Sequence, residues 1–364
     1  MTESTQLWIN RSDLRQTKVV ELTLPTLADG QVLVEIDKFG LTANNVTYAV
    51  VGDMIGYWNY YPSGENGWGK VPVWGCCNVV ASTHKEIPVG DRLWGFLPMD
   101  SHTILTPSDV TKSRFVDVTP YRKELPALYN GYSRTASEPA VMTELENERC
   151  LMFPLFATSY ILYDYLIDND FFGAGQVLIG SASSKTGFGL AKILHGDADI
   201  DVKVVGITSQ RNKAFVESLN CCDQIVVYGD ETSIDSEQAA AYIDMSGDAS
   251  LRAKLHNHLQ DKMVNSSMVG ASHWESRGDA GELPGAKPSV FFAPAQIAKR
   301  DQSWGPGVAW LKAMQASAEV TIAIKDDVDV QWFYGADELA NIWLELLDNK
   351  VPANRGLMAS LVPK

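Results

Sequence analysis

One stretch in the middle of the chain, residues 176–194, constrains the fold more than any other part of the sequence. Val177 to Ile179 are apolar, small hydroxylated residues follow them, and apolar residues then recur at helical spacing. This order predicts a buried parallel strand, a tight turn and a helix. The backbone N–H groups at the start of such a helix, together with its macrodipole, favour a bound anion. Because the turn also contains Lys185 and several hydroxyls, we expect it to bind phosphate.

The composition limits the classes of function that the chain can have. It has 364 residues and a formal net charge of −15, and this length predicts about two domains. An acidic surface repels the phosphate backbone, which argues against nucleic-acid binding. The first residues do not resemble a signal peptide, and no apolar run approaches the ~18 residues of a membrane span. Five cysteines in this arrangement argue against a disulfide framework. We therefore expect a cytoplasmic protein with no membrane or nucleic-acid partner.

The two halves of the chain differ in their hydrophobic pattern. Residues 19–96 are rich in strand signals, most clearly at 31–37, and predict a β-rich barrel. After Leu151, strands alternate with helices, which predicts a parallel sheet with right-handed crossovers. The later predicted elements are strands at 202–208, 224–227, 240–245 and 320–324, helices at 153–165, 213–219, 307–318 and 335–347, and a loop at 276–288.

With these features the chain resembles the medium-chain dehydrogenase/reductase superfamily over nearly its whole length. The segments that carry the resemblance, in the expected order, are 31–41, 89–95, 176–191 and 335–357. The hydroxyl-rich turn and the segment 291–305 are similar to a branch known as a domain of unknown function. The resemblance implies an α/β fold with a Rossmann-type parallel-sheet domain at 151–295. It also implies a GroES-like β-rich barrel domain at 1–150 and 296–364, and a homodimer.

The turn departs from the usual dinucleotide fingerprint, in which three glycines allow a tight turn and close approach to the pyrophosphate. Its three positions fall at Ala182, Ser184 and Gly187. A P-loop is excluded, because it needs glycine directly before the lysine and five positions earlier, where this chain has Ser184 and Ile179. The predicted phosphate-binding residues are Ser181, Ser183, Ser184, Lys185, Thr186 and Gly187.

The end of the second predicted strand indicates which dinucleotide is bound. NAD enzymes usually place an acidic residue there to bind the ribose 2′-hydroxyl. Residues 206–213 contain no acid but include Ser209, Arg211 and Lys213, which suits a 2′-phosphate and predicts NADP(H). The alternative is a solvated helix start. The resemblance implies a further contact from Thr158 near the nicotinamide, although a packed hydroxyl bonded to the backbone is an equal alternative.

The metal ligands of the zinc-dependent branch are absent from this sequence. The resemblance places them near 41–45 and at Trp74 to Cys76, where neither the expected cysteine nor a Gly-His-Glu occurs. Cys76 and Cys77 fit buried small residues better than zinc ligands, and His256 and His258 fit surface positions. We therefore predict no catalytic metal.

The resemblance then implies the zinc-independent branch of quinone oxidoreductases and enoyl reductases. These enzymes transfer hydride from NADPH to an activated double bond, and a donor must stabilise or protonate the resulting enolate. The matching polar residues here include Asn45 and Tyr48, and an aromatic used for packing is the alternative for Tyr48. Tyr57, Trp58 and Trp68 are predicted to line a substrate pocket, with a folded loop over the barrel as an equal alternative.

These observations predict an NADPH-dependent reductase of an enone or a quinone-like small molecule. Two alternatives remain at the level of the sequence. A non-catalytic NADP(H)-binding sensor is favoured by the departures at Ala182 and Ser184. A lyase, hydratase or isomerase that reuses the fold is the other alternative.

Overall fold

The computed structural model describes residues 2–270 and 281–362, and the chain divides into two compact units. The β unit comprises Met1–Leu151, Asp329–Val351 and Arg355–Lys364. The α/β unit comprises Met152–Val328 and Pro352–Asn354. Residues 296–328, predicted to belong to the β-rich domain, therefore belong to the α/β unit instead.

The secondary structure within the described residues is as follows. The strands are β1 (Glu3–Asn10), β2 (Thr17–Thr23), β3 (Val32–Leu41), β4 (Trp68–Gly69), β5 (Pro72–Ser82), β6 (Arg92–Pro98), β7 (His102–Leu105), β8 (Pro107–Ser108), β9 (Arg114–Asp117), β10 (Gly131–Arg134), β11 (Gln176–Gly180), β12 (Lys203–Thr208), β13 (Gln224–Val227), β14 (Ala240–Asp244), β15 (Met263–Met268), β16 (Ser289–Val290), β17 (Asp329–Tyr334) and β18 (Arg355–Ser360). The helices are α1 (Ala43–Val50), α2 (Gly52–Ile55), α3 (Ala140–Glu144), α4 (Glu146–Asp168), α5 (Lys185–Gly196), α6 (Lys213–Ser218), α7 (Ala249–Leu259), α8 (Ala293–Trp304), α9 (Val308–Ile324) and α10 (Gly335–Leu347).

The β unit is built from two sheets in which most strand pairs are antiparallel. The smaller sheet has the order β2-β1-β4. In the larger one the order is β17-β18-β3-β5-β6-β10-β9-β8, and β7 also pairs with β3. The alternation in β3 places Val32, Val34 and Ile36 in the core, as a half-buried strand requires. The two ends of the chain meet in the larger sheet, because β18 pairs with β3.

The α/β unit contains a parallel sheet with the strand order β13-β12-β11-β14-β15-β16. This is the order of the Rossmann fold, and it reverses between β11 and β14. In such sheets, ligands bind beyond the carboxyl ends of the strands at this reversal. The predicted α/β fold class with a Rossmann-type sheet is confirmed, and it places the predicted phosphate turn directly at the reversal.

Three helices of the α/β unit pack together through small and aromatic residues. Ala157 and Ile161 of α4 contact Ala313 of α9, and Ile297 of α8 packs against the same cluster. The predicted strand at 320–324 is wrong, because α9 continues to Ile324. Its β-branched residues suggested a strand, but Ser317, Val320, Thr321 and Ile324 are buried at helical spacing, so packing of the helix overrides their propensity.

Two further predictions fall in this unit. Helix α4 is long and apolar enough to cross a membrane by length and composition, but 72% of its apolar window is buried inside the fold, as in the core helix of a globular unit. Of the predicted loop at 276–288, residues 276–280 lie outside the described residues. Residues 281–288 form neither helix nor strand.

Candidate functional site

The turn between β11 and α5, residues 181–184, is called the phosphate turn below. Ser181 has a φ of 54°, in the left-handed region that side-chain-bearing residues rarely adopt. Ser184 caps α5, since its hydroxyl accepts a hydrogen bond from the Gly187 N–H at 3.2 Å. A Cβ at Gly187 would lie 2.7 Å from the Ser181 carbonyl oxygen and 2.9 Å from the Ser184 hydroxyl. Gly187 is therefore required for the close packing that the last fingerprint glycine provides.

The electrostatics of the phosphate turn favour an anion. Lys185 is the first residue of α5, where the helix macrodipole disfavours a positive charge unless an anion lies nearby. Burial lowers the pKa of Lys185 to about 8. The first N–H groups of a helix have no partner inside the helix, and Ser184 satisfies only that of Gly187. The start of α5 therefore has the backbone donors and the cation that an anion-binding helix N-terminus requires.

The end of β12 lies beside the phosphate turn, because Ala182 N–H donates to the Ile207 carbonyl at 2.9 Å. Among residues 2–270 and 281–362, the hydroxyls of Thr208 and Ser209 are buried and have no hydrogen-bond partner. A buried hydroxyl without a partner costs free energy, so this strand end has unused polar groups that fit a ribose or phosphate. Arg211 is exposed in the same loop.

Lys213 forms an ion pair on the exposed surface of α6. Its ammonium lies 3.6 Å from the Glu217 carboxylate, an exposed pair one turn apart on α6. This arrangement corresponds to the solvated helix start that the sequence left as the alternative. Arg211 lies in the loop before α6 and is exposed, so it remains a candidate for contact with a 2′-phosphate.

Two residues that were not predicted from the sequence contact the phosphate turn from the segments that follow β12 and β13. Asn212 Nδ2 donates to Ser183 Oγ at 3.0 Å. Tyr228 follows β13 and its hydroxyl is hydrogen-bonded to Ser181, while burial raises the pKa of Tyr228 to about 12. The signal in the sequence that could have identified these two residues is that each follows a predicted strand. The turn and the ends of β11, β12 and β13 form one contiguous surface, which we call the nucleotide edge.

The loop after β14 is held by a buried charge that the sequence did not indicate. The Asp244 carboxylate accepts hydrogen bonds from Arg252 at 2.9 Å and from the Ser246 hydroxyl at 2.6 Å. The Asp244 carbonyl also accepts from the Val269 N–H at 2.9 Å. These contacts tie the ends of β14 and β15 together beside the sheet reversal.

The Thr158 hydroxyl is bonded to the helix backbone, which was the alternative to a contact near the nicotinamide. Its hydroxyl donates to the Pro154 carbonyl at 3.0 Å, within α4. The neighbouring Ser159, which was not predicted, donates to the Thr186 carbonyl at 2.8 Å. A Cβ at Gly189 would lie 2.5 Å from the Phe156 ring. Helix α4 therefore supports the start of α5 mainly through Ser159 and close packing.

In the β unit, Asn45 has a structural role. Thr42 and Asn45 form a capping box at the start of α1, in which Asn45 Oδ1 accepts from the Thr42 N–H at 2.8 Å. Asn45 Nδ2 donates to the Pro72 carbonyl at 3.0 Å. Since both ends of the amide are engaged, the contacts of Asn45 are those of a helix cap.

Tyr48 lies inside a group of packed rings, which we call the aromatic cluster: Tyr48, Tyr57, Tyr60, Trp74, Phe96 and Tyr129. Its hydroxyl accepts a hydrogen bond from Trp74 Nε1 at 3.3 Å and is also hydrogen-bonded to the Asn44 side chain. Burial raises the pKa of Tyr48 well above its ordinary value. The phenol therefore stays neutral and can act as a hydrogen-bond donor.

The residues predicted to line a pocket are packed by the β unit itself. The Tyr57 and Tyr129 hydroxyls are 2.9 Å apart. A Cβ at either Gly52 or Gly69 would overlap the Trp58 indole, and Trp68 is half-buried with the Lys18 ammonium 4.7 Å from its ring centroid. These contacts favour the alternative reading of the sequence, in which these aromatic residues form a folded loop over the barrel and not a pocket wall.

The histidines and cysteines are engaged in packing. Among the described residues, no group of three or more His, Cys, Asp and Glu side chains could hold a metal ion. Cys76 and Cys77 are buried. The surface position predicted for His256 is wrong, because its ring is buried and bonded to the Pro284 carbonyl at 2.8 Å and to Ser266 Oγ at 2.9 Å. His258 is half-buried and bonded to the Ile234 carbonyl.

Comparison with known proteins identifies the family. Residues 39–352 match the family described as "Protein of unknown function (DUF2855)", and the chain belongs to this family. No curated protein matches the chain by sequence. The predicted membership of a branch known as a domain of unknown function is confirmed.

Solved structures share the whole fold. CurA from Vibrio vulnificus in complex with NADPH has a TM-score of 0.61 and 14% identity, covering 99% of this chain and 100% of that one. The quinone oxidoreductase from Coxiella burnetii has a TM-score of 0.55 and 13% identity over 99% and 100% of the two chains. The yhdH oxidoreductase from Salmonella enterica in complex with NADP has a TM-score of 0.55 and 15% identity over 98% and 100%.

Proposed function

We propose that this member of the DUF2855 family is an NADPH-dependent reductase that acts without a catalytic metal on an enone or a quinone-like small molecule. The observation that carries the proposal is the nucleotide edge. There, a helix N-terminus with Lys185 lies beside a strand end that offers hydroxyls and Arg211. The structures of CurA with NADPH and yhdH with NADP have the same fold, and the similar protein from Coxiella burnetii is a quinone oxidoreductase.

Each group at the nucleotide edge has a distinct part in cofactor binding. The Lys185 ammonium, the Thr186 N–H and the turn hydroxyls would hold the pyrophosphate. Arg211 and Ser209 would hold the 2′-phosphate, because residues 206–213 contain no acid that would repel it. When bound, NADPH supplies the hydride that the reaction needs.

Tyr48 is the proposed hydrogen-bond donor to the enolate oxygen. Its raised pKa makes it a poor source of a free proton but a lasting donor. Trp74 Nε1 donates a hydrogen bond to the Tyr48 oxygen. The proton of the Tyr48 hydroxyl is therefore not directed toward Trp74. Replacing Tyr48 by Phe should lower the turnover and leave NADPH affinity unchanged.

Titration with NADPH, followed by nucleotide fluorescence, tests the first step. We expect binding at sub-millimolar concentration, and an absence of binding would contradict the proposal. Arg211→Ala should weaken NADPH much more than NADH. Lys213→Ala is the matched control, because its charge is already paired with Glu217. Equal losses of NADPH and NADH in Arg211→Ala would refute the 2′-phosphate assignment.

A second candidate is a sensor that binds NADP(H) without turning it over. It is favoured by the packing of Tyr57 and Trp58, which were predicted to line a substrate pocket but are buried. A panel of enones and quinones separates the two candidates. A reductase oxidises NADPH in the presence of at least one of them, whereas a sensor binds NADPH and oxidises none.

The proposal extends to assembly and location. The superfamily resemblance suggests a homodimer, and the composition suggests a cytoplasmic protein. Light scattering of the purified chain measures the assembly, and a monomer at working concentration would contradict that part of the proposal.

A further inference from the structure

The phosphate turn is held by side chains from the segments that follow β12 and β13, and these contacts fall on Ser181 and Ser183. Ser181 adopts a left-handed φ of 54° without being glycine, a conformation that costs free energy for a residue with a Cβ. Ser181 is hydrogen-bonded to Tyr228, and Ser183 accepts from Asn212 at 3.0 Å. The conformation of the turn therefore depends on residues outside it.

The side chain of Asn212 is committed to the phosphate turn. Asn212 occupies the N-cap position of α6, where an asparagine side chain usually bonds to the helix backbone, but here it makes no capping bond. Its Nδ2 instead donates to Ser183, which is buried. The contact joins two segments 29 residues apart in the chain, so it is a tertiary contact and not a local turn.

Asn212 also lies between the two places where phosphate would bind. It follows Arg211 directly in the loop after β12, and its side chain ends on the turn that carries Lys185. The hydroxyls of Thr208 and Ser209, buried and without partners in the described part of the chain, belong to the same strand end. An anion that orders this loop would therefore order the phosphate turn as well.

We propose that Asn212 is a positioning residue that couples the loop after β12 to the phosphate turn, so that binding of a 2′-phosphate by the loop strengthens binding of the pyrophosphate by the turn. This inference rests on the proposed function. Recognition of NADPH over NADH then comes from two sources. One is the direct contact with Arg211, and the other is the ordering of the turn through the Asn212–Ser183 hydrogen bond.

The test compares dissociation constants for NADPH and NADH in single and double variants, with thermal unfolding measured in parallel. Asn212→Ala should weaken NADPH about tenfold and NADH much less, since a net hydrogen bond supports about this factor. Ser183→Ala combined with Asn212→Ala should be no weaker than Ser183→Ala alone. Asn257→Ala, at an exposed position on α7 of the same unit, is the control and should leave both constants unchanged.

A second variant separates positioning from a purely structural role. In Asn212→Asp the Ser183 hydroxyl can donate to the new carboxylate, so the contact and the melting temperature should be kept. The added negative charge lies between the two phosphate sites, so NADPH affinity should fall further than in Asn212→Ala. If Asn212→Asp binds NADPH as the unmodified protein does, Asn212 is structural only and the inference is overturned.

The outcomes also separate this inference from the proposed function. If the unmodified protein fails to bind NADPH, the proposed function fails first. If it binds NADPH and Asn212→Ala retains both the affinity and the preference over NADH, the proposed function stands and the coupling is wrong.

Discussion

The nucleotide edge and the aromatic cluster were both predicted as functional, and the structure treats their polar atoms in opposite ways. In the aromatic cluster the hydroxyls are paired within the β unit: Tyr57 with Tyr129, Tyr48 with Trp74, and Tyr60 with the Pro126 carbonyl. At the nucleotide edge, within residues 2–270 and 281–362, the hydroxyls of Thr208 and Ser209 have no partner.

This difference distinguishes a packed core from a binding surface more clearly than residue type does. Both regions contain paired hydroxyls, but the buried and unpaired hydroxyls of Thr208 and Ser209 lie on the strand end beside the N-terminus of α5. Buried polar groups are nearly always paired in folded proteins. A local excess of unpaired ones therefore indicates a place where a polar ligand completes the structure.

The largest expected effect tests whether the aromatic cluster is a core. Phe96 is fully buried and contacts all five other rings of the cluster. Phe96→Ala should lower the free energy of unfolding by about 3–5 kcal/mol, measured by urea denaturation, with NADPH affinity of the folded protein unchanged. Met54→Ala, at a residue that is 65% exposed, should have almost no effect. A small effect of Phe96→Ala would mean that the cluster is an open pocket.

The next effect concerns the close packing of the phosphate turn. Gly187→Ala places a Cβ 2.7 Å from the Ser181 carbonyl oxygen, and overpacking of this kind costs about 1–3 kcal/mol. We expect a lower melting temperature and a clear loss of NADPH affinity. Gly196→Ala, at the other end of α5 with nothing within 4 Å of the added carbon, should be neutral or stabilising. Similar results for both variants would show that the turn tolerates rearrangement.

A smaller effect follows from the charge of Lys185. Burial lowers its pKa to about 8, so the ammonium is charged below that pH and becomes neutral above it. NADPH affinity should therefore fall as the pH rises through this range, with the midpoint shifted upward in the complex because a bound phosphate favours the charged form. Lys185→Gln should bind NADPH about tenfold more weakly and lose this pH dependence, whereas Lys192→Gln on the same helix should keep it. A pH dependence that survives Lys185→Gln would assign it to another group.

The smallest expected effect is on the pH dependence of stability, and it comes from His256, a buried polar residue away from the nucleotide edge. His256 is bonded at both ring nitrogens, and burial lowers its pKa. The unfolded chain therefore binds a proton more readily, and stability should be full above about pH 6.5 and fall as the pH drops below it. In His256→Gln this part of the pH dependence should disappear, and in His195→Gln, at an exposed position, it should remain. NADPH affinity should be unaffected in both, so a change would extend the nucleotide edge to His256.

Much of the α/β unit was predictable from the sequence, because its strands are apolar runs bounded by clear turn residues. The strands at 203–208, 224–227 and 240–244 and the start of α5 follow from that pattern. The strand predicted at 320–324 is wrong, because this segment lacks such a clear pattern. Its β-branched residues have no local signal that distinguishes a buried helix face from a strand, and only the burial of one face of α9 in the folded unit decides between them.

The candidate site divides in the same way. Residues of the phosphate turn are contiguous in the chain, so their grouping could be predicted as one motif. Asn212, Tyr228 and Ser159 contact that turn from 29 or more residues away or from another helix, and no local pattern marks such contacts. For Asn45 and Lys213 the sequence indicated a useful side chain but not that Pro72 and Glu217 already engage it.

By itself the sequence determined the fold class, the place of the phosphate turn, and the absence of an acid after the second strand, because each depends on residue type and order along the chain. Only the tertiary structure decided which of those residues have polar groups left to bind a ligand. A buried hydroxyl such as that of Thr208 or Ser209 is available to a cofactor when the packing around it supplies no partner, and that depends on residues brought close by folding.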